Sequence, residues 1–194
     1  MQNLLELIKS RRSIREYKNK TISRDIIENI LDAGRWAPSA HNLQPWRFVV
    51  VENKEKVTAI SDIMNKKADA LFSGFNIVMR DTAKKIGNAN VLFIVYSDNA
   101  ITKKFNRLGP PYSEIASVYE IQSVANAIEN MLLYIHEVGL GAAWYGMALF
   151  CEKEINGLLK QKNRLLAVLS IGYPEKSTSE SSRKELVEIA EFII

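Results

Sequence analysis

Trp36-Ala37-Pro38-Ser39-Ala40-His41-Asn42-Leu43-Gln44-Pro45-Trp46-Arg47 packs more turn-formers, amides and aromatics between two apolar elements than any other stretch of the chain. Pro38 and Pro45 each fix a backbone φ and push the preceding residue toward an extended conformation, so the segment reads as a stiff loop. Ser39, Asn42 and Gln44 offer short hydroxyl and amide groups from that frame. Such groups both donate and accept hydrogen bonds, as the edge of a heteroaromatic ring with alternating C=O and N–H positions requires. His41 is placed to touch a ligand beside them. A helix end followed by an ordinary proline turn, with Trp46 as core filler, is the plainer reading of the same residues.

The loop has rigid supports. Before it, Ile26, Ile27, Ile30 and Leu31 recur at helical spacing, with Ser23 as the cap and Gly34 as the end. After it, Phe48 to Val51 is a short β-branched run that reads as a buried strand. Val91 to Tyr96 and Leu165 to Ile171 read the same way. Helices are expected at Leu4 to Ser10, Lys54 to Lys67, Ser113 to Val138 and Glu152 to Leu159. The longest of these carries an apolar stripe wider than one neighbour needs, which places it at a domain centre or a subunit contact. Ala68 to Asn88 is the least legible region, with room for one or two helical pieces. Ser97 to Ser113 reads as a polar crossover, and Ser177 to Ser182 as a serine-rich link to the apolar terminal segment.

Two further stretches could meet a ligand. Arg11-Arg12-Ser13-Ile14-Arg15 sets three guanidiniums and a hydroxyl within five residues, the best phosphate candidate in the chain; a solvated basic turn is the alternative. In an extended segment Arg11, Ser13 and Arg15 share a side. Gly139 to Gly146 surrounds Trp144 and Tyr145 with small residues, as a pocket lip or a glycine-punctuated strand.

The 194 residues suit one domain, and 47% hydrophobic with 25% charged residues is a globular composition. No apolar run approaches the ~20 residues of a membrane span, and the N-terminus lacks the pattern of a secretion signal, so a soluble cytoplasmic protein is expected. A single cysteine, Cys151, excludes an internal disulfide, a cysteine-held iron–sulfur cluster and a cysteine-rich zinc site. The net charge of +4 is scattered outside the arginine segment, which argues against nucleic acid and for an anionic small ligand. There is no G-x-S-x-G elbow, His-Glu-x-x-His helix, Walker loop or Rossmann fingerprint. Cys151 reads as a buried structural thiol and His136 as packing or surface. An arginine cluster and an amide-bearing loop without acid–base machinery suit a ligand that carries its own reactivity.

Taken together, Arg11-Arg12-Ser13-Ile14-Arg15, Ala37 to Trp46, and Asn130-Met131-Leu132-Leu133 leading to Gly139-Leu140-Gly141 and Trp144 resemble the nitroreductase family of flavoproteins. The likeness runs from residue 4 to about 190. It implies a single α+β domain over 1–194, with a three-layer fold, a mixed central β-sheet flanked by helices, and an intertwined homodimer holding one FMN at each end of the interface. Carried over, Arg11, Arg12, Ser13 and Arg15 would hold the phosphate and ribityl chain and set a cation near the N1–C2 carbonyl. Pro38, Ser39, Ala40 and Asn42 would come from the partner subunit to cover the isoalloxazine, and Gln44 would bond its edge. Trp144, Tyr145 and Gly146 would lie beneath the ring near N5. Lys84 would add a contact, Arg183 would return to the phosphate, and 183–194 would pack on the partner subunit. The implied activity is hydride exchange in two steps, from NADH or NADPH to flavin N5 and then to a nitroaromatic, quinone or related acceptor, with no catalytic side chain. Dehalogenation or flavin-consuming chemistry on the same scaffold, and a non-enzymatic module binding anions or nucleic acid, are the rival functions.

Overall fold

A computed structural model describes residues 3–176 and 181–193. In chain order the elements are α1 (Leu4–Ser10), α2 (Arg24–Arg35), β1 (Trp46–Val51), α3 (Lys54–Ala68), α4 (Phe75–Gly87), β2 (Val91–Ser97), α5 (Ala100–Phe105), α6 (Tyr112–Glu137), β3 (Gly141–Tyr145), α7 (Glu152–Leu159), β4 (Arg164–Gly172) and α8 (Leu186–Ile189). Asn3 caps α1 by accepting from the Leu5 amide at 3.0 Å, and Asn53 caps α3 through the Lys56 amide at 2.9 Å. Ser23 stands at the N-cap of α2, but its side chain makes no cap hydrogen bond. Of the serine-rich link, residues 177–180 lie outside the described residues, as does Ile194.

The strands form one sheet in the order β1-β2-β4-β3, antiparallel at every pair. The mixed character expected of it reduces to a single parallel bridge, Ser13 to Ala142, made by the segment after α1. On β2, Phe93 and Val95 face a cluster with Ile27 and Ile30 of α2 and Ile128 and Met131 of α6. Leu92, Ile94 and Tyr96 face Val57, Ile60 and Met64 of α3 and Met79 and Ile86 of α4. This period-two alternation produces three layers, helices on sheet on helices. β2 and β4, apolar on both faces, supply the continuous hydrophobic runs of the sequence. Each fully buried Ile, Leu or Phe contributes about 1.5–3 kcal/mol of transfer free energy, enough to fix which residues turn inward.

The crossover after β2 is ordered around a carboxylate. Glu120 of α6 is fully buried and accepts from the Thr102 amide at 2.8 Å, the Thr102 hydroxyl at 3.1 Å and the Ser97 hydroxyl. A buried polar side chain is tolerable only with such partners, so Glu120 ties the end of β2 and the first turn of α5 to α6.

Candidate functional site

The arginine segment is laid along the outer strand β3. The Ile14 amide donates to the Ala142 carbonyl at 2.9 Å, beside the Ser13–Ala142 bridge. The approach is possible because position 141 is glycine: a Cβ there would stand 2.5 Å from the Cβ of Ile14. Further on, the Lys18 amide donates to the Tyr173 carbonyl at 2.9 Å.

At the end of β3 this places Arg15 over a recess of about 280 Å³, shared with Asp81, Thr82, Lys85, Trp144, Tyr145, Gly146 and Met147. Lys85 pairs with Asp81 one helical turn back on α4, which leaves Arg15 as the uncompensated charge of the lining. Trp144 is exposed and Tyr145 buried, and at Gly146 an added Cβ would meet nothing within 4 Å. The other two guanidiniums turn elsewhere. Arg12 donates to the Lys9 and Arg11 carbonyls at 2.5 and 2.8 Å, satisfying the end of α1, and Arg11 lies 3.8 Å from Glu129. Near them His136 meets the Ser10 hydroxyl at 2.9 Å, and burial, then the Arg11 charge, holds its imidazole below the ordinary range.

Two residues expected at the cofactor, Lys84 and Arg183, stand away from this recess within one chain. Lys84 is exposed on α4 and is not among the lining residues; its neighbour Lys85 is, because Asp81 and Lys85 share a helix face. Arg183 does not return to the arginine segment: its guanidinium donates to the Ser181 hydroxyl at 2.6 Å and the Ser182 carbonyl at 2.9 Å. The terminal residues beyond it, Leu186 to Ile193, lie exposed.

The proline loop is stiff, and by more than its prolines. His41, Asn42 and Gln44 all take positive φ, near 52°, 53° and 47°, a conformation that costs non-glycine residues about 1–3 kcal/mol each and persists only when held. What holds it is visible. The Gln44 amide donates to the Ser39 hydroxyl at 3.0 Å, the Ala40 amide to the Ser123 hydroxyl at 3.2 Å, and the Asn126 amide group to the Pro38 carbonyl at 3.3 Å. Gln44 Nε2 donates to Asn42 Oδ1 at 3.2 Å, so the two side chains arrive as a pair. Arg47 and Asp98 form a 2.5 Å ion pair, and the His41 ring lies 5.5 Å from that of Phe105 in α5. Pro38, His41, Asn42 and Gln44 are exposed and Ser39 and Ala40 partly so.

Strand register relates the loop to the recess. Trp46 pairs with Ser97 and Ser97 with Arg164, while Tyr145 pairs with Val168, Val168 with Ile94 and Ile94 with Val49, so the end of β3 stands level with the middle of β1 on the opposite margin, three residues in from the start of β1. Three strand spacings, about 14 Å, separate the two margins, and three residues of strand, about 10 Å more, offset Trp46 from Tyr145 along them. Within one chain the recess and the loop do not close on each other.

The remaining chemistry is sparse. Cys151 is buried, and burial pushes its thiol up to about 11, which removes it as a thiolate nucleophile. Among the described residues no group of His, Cys, Asp and Glu could hold a metal, and no helix is long and apolar enough to cross a membrane. Sequence reasoning missed Asp81, Thr82, Lys85 and Met147 in the recess; the Asp81–Lys85 spacing was the available signal.

A three-layer α+β scaffold, with a positive recess at one sheet margin and a strained amide loop at the other, defines the class. The model of the Nitroreductase family matches residues 8–173, and the chain belongs to that family and so to the oxidoreductases. An Archaeoglobus fulgidus protein provisionally named NADH dehydrogenase/NAD(P)H nitroreductase is 31% identical over 180 residues, covering 90% of this chain and 87% of its own. Iodotyrosine deiodinase of Thermotoga neapolitana is 26% identical, covering 96% and 97%. A solved structure described as a provisional nitroreductase of Desulfovibrio desulfuricans in complex with FMN superposes with a TM-score of 0.71 at 27% identity, covering 100% and 99%.

Proposed function

We propose that the protein is an FMN-dependent oxidoreductase that takes reducing equivalents from NADH or NADPH and passes them to a nitroaromatic, quinone or related acceptor, as a homodimer. The observation that supports this is the separation just described: a recess carrying Arg15 and an amide-bearing loop stand on opposite margins of the sheet, each open to solvent, and each would be half of a site. A second copy supplies the missing half. The exposed apolar face of α6, with Ile115, Val118 and Ile121, and the exposed Leu149, Phe150 and terminal segment give that copy a surface to bury.

The residues suit FMN. About 280 Å³ is at the lower limit of pockets for a ligand of this size, as a half-site should be, and its cations match a phosphate or an anionic ring. Arg11, Arg12, Ser13 and Arg15 would hold the phosphate, ribityl and N1–C2 side, with Arg12 leaving its carbonyls to do so. Trp144, Tyr145 and Gly146 would underlie the ring, with Lys85 in the place expected of Lys84. Pro38, Ser39, Ala40, Asn42 and Gln44 would reach the ring of the other subunit, and His41 the acceptor. When bound, FMN supplies hydride acceptance and donation; the chain supplies orientation, a fixed cation and the exclusion of water. A cytoplasmic setting belongs to the same proposal, supported by a lone thiol with no disulfide partner.

The absorbance spectrum before and after anaerobic NADPH tests the reading. Yellow protein that bleaches and releases FMN on denaturation is expected, whereas colourless protein that takes up no FMN overturns it. Reductive dehalogenation is the second reading, favoured by the end-to-end match to the deiodinase. Halide release set against turnover of nitroaromatics and quinones separates the two.

A further inference from the structure

Tyr17 is not accounted for by cofactor contacts, yet its hydroxyl is the most heavily engaged polar group near the recess. It lies 2.5 Å from the Ile14 carbonyl, 2.6 Å from Ser170 Oγ and 3.1 Å from the Ser170 carbonyl. Ser170 Oγ is in turn 3.4 Å from the Tyr145 hydroxyl, and Tyr145 lines the recess. The ring lies on Gly172, where a Cβ would come within 2.7 Å of it.

The geometry places the phenol at one peptide. Ile14 gives its amide to Ala142 and receives the Tyr17 hydroxyl at its carbonyl, so both polar groups of the residue between Ser13 and Arg15 are fixed. Among the described residues the Arg15 guanidinium is held by nothing beyond a long 3.4 Å contact to the Ser13 carbonyl. Its location over the recess is therefore set by its backbone.

We infer that Tyr17 is a positioning residue: by buckling the Ile14–Arg15 peptide to β4 it sets where the Arg15 charge stands over the recess, and thereby the reduction potential of the flavin bound there. This rests on the FMN reading above. Burial pushes the phenol well above its ordinary titration range, so it remains a donor at working pH. A cation held beside the ring favours the anionic reduced flavin over the neutral oxidised one. Let the peptide swing, and that preference weakens.

The test is the FMN midpoint potential of the dimeric holoenzyme in wild type, Tyr17→Phe and Ser170→Ala, with thermal midpoint and oxidised-FMN affinity measured alongside. The expected result for Tyr17→Phe is about tenfold weaker binding of reduced relative to oxidised flavin, a shift of about 30 mV to more negative potential. Ser170→Ala should move it the same way by less, and carries the test if the tyrosine variant fails to fold. A drop in thermal midpoint with an unchanged potential, or both flavin forms weakened equally, overturns the inference and leaves the FMN reading intact. Wild-type protein that takes up no FMN overturns both.

Discussion

The Ser39 hydroxyl accepts the Gln44 amide at 3.0 Å and so closes a turn in which His41, Asn42 and Gln44 all sit at positive φ. Removing that acceptor by Ser39→Ala leaves strain without its clasp, at a cost of about 1 kcal/mol to the ordered loop. FMN affinity should fall about fivefold, read by quenching of flavin fluorescence, with the far-UV circular dichroism unchanged.

Arg15 is the uncompensated cation of the recess, and a charge-assisted hydrogen bond is worth about 1.5–3 kcal/mol. Arg15→Ala should weaken FMN about 10- to 100-fold by the same titration. Lys85→Ala should also weaken it, because the change leaves Asp81 bare beside an anionic ligand. Lys84→Ala, one residue away and exposed, should leave it within twofold.

Glu120→Ala leaves the buried Ser97 hydroxyl and the part-buried Thr102 amide and hydroxyl without their acceptor. Leaving a buried donor unsatisfied costs about 1–3 kcal/mol, and each kcal/mol lowers the thermal midpoint of a chain this size by about 2–4 °C. A fall of several degrees is expected in scanning fluorimetry, with Glu120→Gln losing less because its amide oxygen still accepts.

His136 makes stability depend on pH. Its folded pKa lies below the ordinary 6.5, through burial and then the Arg11 charge, so the unfolded chain binds the proton more readily. The contribution is present above 6.5 and lost as pH falls through the lowered value. Urea midpoints at pH 7.5 and 5.5 should show wild type losing more stability on acidification than His136→Gln.

Ending the chain after Ser182 removes the exposed apolar segment offered to a second copy. Light scattering should show a shift from dimer to monomer, and the flavin should be lost with it. A truncated protein that stays dimeric and yellow would show that α6 suffices.

The sequence made some of this legible and hid the rest for physical reasons. The helices α1, α2 and α6 announce themselves by apolar residues at helical spacing, and the strands β1, β2 and β4 by short continuous apolar runs bounded by turn residues. α4 does not: Phe75, Ile77 and Val78 are exposed while Met79, Ala83 and Ile86 are buried, so apolar residues occupy two faces. β3 is five residues long, with Gly141 at its start and two alanines after it, and could be read as a loop lip as easily as a strand. Its pairing with β4 decides the matter. Glu120 reads as one more solvated helix charge, since its partners are 18 and 23 positions away. The Pro38 to Gln44 segment was legible as rigid, but its positive φ angles were not, because none falls on a glycine.

The sandwiched middle pair, β2 and β4, carries a further implication. Amide protons there should resist exchange with deuterated solvent for as long as the molecule remains globally folded, while those of β1 and β3 trade readily. Trp144 and Tyr145 stand on one outer strand, and the arginine segment and the proline loop adjoin the two outer strands, so these groups can adjust by local opening without the unit as a whole coming apart.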